Sequence, residues 1–144
     1  MRARHSPLTT VIRVKEHMVK KAKRELAVIR VAREKEEGAL ETLEGRHSSA
    51  MNSAVRKAKT RAADLQTSQA FLQRLSRQVE RQEVRVREVT SREEGKRGEL
   101  VEQSQSKKMI TKIDQRRKDE ETKEQERKSQ RIIDGFAQRM RSEH

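Results

Sequence analysis

Four histidines, 23 carboxylates and 36 cationic side chains are the groups in this chain that could do chemistry. The histidines stand at His5, His17, His47 and His144, and no two lie one helical turn apart. Cysteine is absent, so there is no thiol nucleophile, no disulfide framework and no thiolate to complete a zinc cluster. No metal site is expected. Acid–base catalysis needs carboxylates focused by a pocket, and carboxylates strung along helix surfaces face water instead. Gly95 and Gly98 lack the Lys-Ser/Thr that follows a phosphate-binding loop. The chain is therefore read as non-enzymatic, with no catalytic residue and no cofactor.

Two runs concentrate positive charge: Lys20-Lys21-Ala22-Lys23-Arg24 and Arg56-Lys57-Ala58-Lys59. Each reads either as an electrostatic docking surface or as a solvated helix face. The net charge of +13 points to a partner with an acidic surface, whether nucleic acid, anionic lipid or protein. Base stacking needs aromatic platforms, yet the only aromatics are Phe71 and Phe136. No helix-in-groove module is recognisable either, so specific nucleic-acid recognition is not expected. Nonspecific phosphate attraction remains.

The elements that must carry these groups are helices. With 41% charged and 31% hydrophobic residues, the chain can be disordered or can form extended helices that bury only a narrow stripe. Periodicity favours the helices. Ser6-Pro7 reads as N-cap and first helical residue, and Pro7 is the only proline. Taking Leu8 as a, a heptad runs Leu8, Lys15, Ala22, Ile29, Glu36, Leu43, with Val11, Met18, Glu25, Ala32 and Ala39 at d. Ile12, Val19, Leu26 and Leu40 form a neighbouring apolar stripe. The second repeat places Leu72, Val79, Val86 and Leu100 at a, and Leu75, Val89 and Ile110 at d. Glu93 and Lys96 interrupt it near the helix-weakening Gly95 and Gly98. Charged seam positions disfavour a tight dimer.

The fold class expected is all-α: two long helices in one antiparallel coiled-coil hairpin domain spanning 1–144. Helix one covers about 7–60, the connection about 60–67 and helix two about 68–141. An earlier reversal at Gly45 to Ser53 is the alternative, because Gly45 and Ser48-Ser49 are mediocre helix formers. Reversal near residue 64 sets Leu8 beside residue 120 or so, leaving the longer C-terminal helix overhanging. Asp114 to Arg131 contains no apolar residue and reads as a charged helix or a linker. Beyond it, Ile132, Ile133, Phe136 and Met140 form an apolar patch in want of a partner. No apolar run approaches the roughly 20 residues of a membrane helix.

Three segments carry a family resemblance. Leu8 to Leu43, with Leu8, Glu16, Ala22, Arg24, Leu26 and Arg30 at matching spacing, resembles the N-terminal helix of the FliJ family of flagellar type III export proteins. Gln69-Ala70-Phe71-Leu72-Gln73-Arg74-Leu75 resembles the opening of that family's second helix, and Ile133-Asp134-Gly135-Phe136-Ala137-Gln138-Arg139 its C-terminal signature. The resemblance implies a cytoplasmic stalk, peripherally held at the inner-membrane export apparatus. Its partners would be the hexameric export ATPase, the cytoplasmic domain of the export gate, and export chaperones. It would promote ATPase ring assembly and link ATP hydrolysis to export. By the same resemblance the gate-binding surface falls on Leu43, Phe71, Leu75, Gln78 and Gln82, and the ATPase-binding residues are Arg24, Arg30, Phe136 and Arg139. Arg46 and Ala50 depart from the family pattern, standing where relatives show aromatics. The related stalk of a virulence secretion system and a basic nucleic-acid- or ribosome-associated coil are the alternative readings.

Overall fold

A computed structural model describes residues 7–57 and 61–142. They form two helices, α1 (Pro7–Lys57) and α2 (Ala62–Ser142), packed as an antiparallel hairpin. Ser6 lies outside the described residues, as do residues 58–60. Contacts divide the chain into two compact units, Lys21–Leu100 and a second made of Met1–Lys20 with Val101–His144.

In Lys21–Leu100, α1 runs unbroken through Gly45 to Ser53, so the earlier reversal does not occur. The reason is the seam. Leu43, His47, Ala50 and Ala54 all turn inward, and His47 Nε2 hydrogen-bonds Ser76 Oγ at 3.0 Å. Tertiary packing overrides the weak propensity of glycine and serine here. α2 begins at Ala62, so the stretch read as a connection is already helical at 62–67. Asp64 stands in its first turn, where a carboxylate suits the positive end of the helix dipole. The Thr67 hydroxyl donates to the Ala63 carbonyl at 3.1 Å, so its polar group is satisfied within the helix. At the other side, Arg56 and Lys57 occupy the last turn of α1, where cations are favoured.

The α1 seam differs from the expected d series. Ala22, Leu26, Ile29, Arg33, Glu36, Leu40 and Leu43 are shielded, alternating three- and four-residue steps. The stripe of Val19, Leu26 and Leu40 is thus the second seam series, while Val11, Met18, Ala32 and Ala39 are exposed. Charged Glu25 made the two series hard to rank by polarity alone. On α2 the expected series is the observed one: Leu72, Leu75, Val79, Gln82, Val86, Val89, Glu93, Lys96 and Leu100 face α1.

The interruptions at Glu93 and Lys96 are cross-helix pairs. Glu93 is only 2% exposed, with its carboxylate 3.0 Å from Arg33, 3.4 Å from Arg30 and 2.9 Å from Arg97. Lys96 contacts Glu25 across the seam and Glu99 at 2.8 Å on its own helix. Gln82, 6% exposed, donates to the Glu36 carbonyl at 3.0 Å and also to its carboxylate.

In the other unit, Lys15 donates to Gln103 at 3.2 Å and Lys107 pairs with Glu16 at 3.6 Å. By equal rise along two antiparallel helices, Leu8 comes level with residues ~110–115 rather than 120. The overhang starts correspondingly sooner: of Lys118–Ser142 every residue but Gly135 is exposed. The charged stretch is helix, laced by Lys118–Asp114 at 2.7 Å, Lys128–Glu124 at 2.9 Å and a Gln115-to-Asp119 hydrogen bond at 2.9 Å. Pairs three or four residues apart support a helix from its own surface, without a core to bury.

The seam assignment separates two nearby aliphatic residues on α1. Leu26 is 4% exposed and Val28 70%. Leu26→Ala is expected to lower unfolding free energy by about 2–5 kcal/mol, as for a buried leucine. Val28→Ala is expected to stay within ~0.5 kcal/mol. Thermal melts followed by circular dichroism check both.

Candidate protein-interaction surfaces

With so narrow a seam, most side chains stay in solvent, and recognition must occur on faces rather than in a pocket. Among the described residues no group of three or more His, Asp or Glu is placed to hold a metal ion, and no helix is long and apolar enough to cross a membrane.

The structure sorts the five residues of the expected gate surface into two layers. Phe71 is 48% exposed and Gln78 is exposed, two turns apart on one flank of α2. Leu75 and Gln82 are buried in the seam on the same helix, and Leu43 is half-buried on α1. Phe71 is thus neither a core residue nor fully free. Its ring stands beside the seam, where it can be covered by another molecule without opening the hairpin. Leu75 and Gln82 lie beneath this flank, packed in the seam against α1. Exposed Met51, Val55 and Leu65 add apolar surface elsewhere in the Lys21–Leu100 unit.

Of the four expected ATPase-facing residues, Arg24 is exposed on α1 and has no ion-pair partner among the described residues. Arg30, also on α1, reaches across to Glu93 at 3.4 Å, so part of its role is structural. In the other unit Phe136 and Arg139 come together on α2, the guanidinium 5.9 Å from the ring centroid. Ile132, Ile133, Phe136 and Met140 around them are all largely exposed, forming an apolar strip on the overhanging helix. Gly135, one turn along, leaves the strip open on that side.

Of the basic runs, Lys20, Lys21, Lys23 and Arg24 are exposed around seam-facing Ala22. Arg56 and Lys57 are exposed too, while Ala58 and Lys59 lie outside the described residues.

The geometry of each unit is that of a helical scaffold offering charged and aromatic faces. The family described as Flagellar FliJ protein matches residues 4–143. This chain belongs to the FliJ family. The match spans all three segments whose spacing carried the resemblance. No curated protein and no solved structure matches the chain.

Within this FliJ-family hairpin, the Glu25–Lys96 contact across the seam shifts the titration of both partners. The Lys96 ammonium, hydrogen-bonded to Glu25, holds that carboxyl below its ordinary value of 4.5. Glu25 and then Glu99 raise Lys96 above 10.5. A charge in a seam is legible in the sequence, but its partner on the other helix is not. A carboxyl depressed on folding stabilises the fold above its unfolded pKa and loses that contribution as pH falls through the folded value. A raised ammonium stabilises below its unfolded pKa and loses the contribution as pH rises through the folded value. The melting-temperature gap between wild type and Glu25→Gln is therefore expected to be full near neutral pH. It should close in acid below 4.5 and in base above 10.5. Melts of the two proteins across pH measure it.

Proposed function

We propose that this FliJ-family chain is a non-enzymatic stalk of the flagellar type III export apparatus, coupling the hexameric export ATPase to the export gate. The observation that carries the reading is a family match over residues 4–143 on a chain that forms a long two-helix hairpin. In this reading the protein works in the cytoplasm, peripherally at the inner-membrane apparatus. It promotes ATPase ring assembly and also meets export chaperones.

The physical logic favours a charged hairpin for such a task. A net charge of +13 attracts acidic loops of a ring without requiring one deep interlocking contact. Arg24, Arg30, Phe136 and Arg139 meet the ATPase in this proposal. Phe71 and Gln78 form the exposed layer of the gate surface, with Leu43, Leu75 and Gln82 setting its shape. The flagellar family description favours this machine over a virulence secretion system.

Contacts of this surface type are screened, with a Debye length of about 8 Å at 0.15 M salt. The chain is expected to stimulate ATP turnover by the cognate ATPase and to lose the effect progressively as salt rises. Absence of stimulation at any salt would overturn the stalk reading and leave the nucleic-acid one. Phe71→Ala is expected to weaken gate binding by about 2 kcal/mol, as for an aromatic anchor, with helicity and ATPase stimulation retained. Arg24→Glu is expected to do the reverse. Arg30 is better changed to Gln, because a carboxylate there would face Glu93.

A further inference from the structure

In the Lys21–Leu100 unit, Val28 and Ile29 serve neither a seam ion pair nor the surfaces above. An open groove of about 390 Å³ runs beside the seam, lined by Arg24, Glu25, Val28, Ile29 and Lys96. Its apolar side is Val28, 70% exposed, with Ile29 at the floor. Val31, one turn along α1, is also exposed. On the α2 side, Gly95 precedes Lys96 and contributes no side chain, and a Cβ there would meet nothing within 4 Å. Exposed valines on a solvated helix cost solubility and contribute nothing to this seam. A groove with an apolar floor between two helices fits the ridge of a third helix.

The charges around the groove choose the kind of helix. The carboxylate at its rim, Glu25, is held by Lys96, which also holds Glu99 on α2. Arg24 and Lys35 on α1 and Arg92 on α2 are exposed and have no ion-pair partner among the described residues. The anions nearest the groove are therefore neutralised within the hairpin, while cations on both helices are not. We infer that this groove docks an acidic amphipathic helix of a partner protein. The partner's apolar ridge lies against Val28 and Ile29, and its flanking carboxylates meet Arg24, Lys35 and Arg92. A lipid surface shares the negative charge but is flat. Val28 projects but Ile29 is half-buried between the helices, where a narrow ridge reaches it and a flat bilayer does not.

The test uses the full chain and a fluorescent, helix-stapled peptide with Leu at heptad a and d and Glu at the flanking positions. Its controls are the same peptide with Lys in place of Glu and vesicles containing phosphatidylglycerol. Fluorescence anisotropy is expected to show saturable binding of the acidic peptide alone. Both Val28→Gln, which is charge-neutral, and Arg24→Gln are expected to weaken it at least tenfold. Val55→Gln, an equally exposed valine elsewhere on α1, should leave it unchanged. No binding of the acidic peptide overturns the inference. So does binding that survives Val28→Gln, which would be attraction to net charge alone, or binding of vesicles in preference to the peptide. Circular dichroism of each variant separates a lost surface from a lost fold.

Discussion

Glu93 lies inside the helix–helix seam with Arg30, Arg33 and Arg97 around its carboxylate, and this cluster constrains the Lys21–Leu100 unit. A carboxylate so little exposed is costly unless its charge is met, and here two of the three arginines come from the opposite helix. A slip of the helices by one heptad would carry Glu93 away from Arg30 and Arg33 and leave its carboxylate only Arg97 of its own helix. The same unit has further cross-helix polar pairs, Glu25 with Lys96, Glu36 with Gln82 and His47 with Ser76. Leu26, Ile29, Leu72, Leu75 and Val79 supply the apolar attraction, but aliphatic residues at heptad spacing pack almost as well one heptad along. The polar pairs supply what the apolar ones lack, a preference for one alignment.

How much of this was legible in the sequence depends on the kind of information each feature needs. Helix content and the α2 seam follow from spacing within one segment, and both could be read. The hairpin needed only two amphipathic segments and a reversal. The α1 seam was harder because Val11 and Met18 compete with Ile12 and Val19 as its second series, and the choice between them is made by α2. The pairing of Glu93 with Arg33 joins residues far apart in the chain, so the sequence displays two anomalies rather than one interaction. α2 starts before residue 68 because Asp64 suits the positive end of the helix dipole and the Thr67 hydroxyl is satisfied by the Ala63 carbonyl. Phe71 and Gln78 could be named from the resemblance, but their separation from buried Leu75 and Gln82 required the fold.

A seam this thin has a functional consequence. Leucine and valine fill the interior, so aromatic and cationic side chains are left for the outside. Phe71, Phe136 and Arg24 are exposed without any hydrophobic core being given up to expose them. Binding faces can then change without altering the fold, provided the polar seam pairs are kept. That is a suitable property for a FliJ-family protein proposed to meet several different partners.

The account turns on the claim that charged seam residues act as pairs. A double-mutant cycle on Arg33 and Glu93 tests it most directly, with Arg33→Met, Glu93→Leu and the double variant compared by denaturant unfolding. Each single change leaves a charge facing an apolar side chain, whereas the double change leaves an apolar layer. The single variants are expected to be destabilised and the double to recover much of the loss, with a coupling of about 1 kcal/mol or more. Effects that simply add, with no recovery in the double variant, would contradict the pairing on which the register rests.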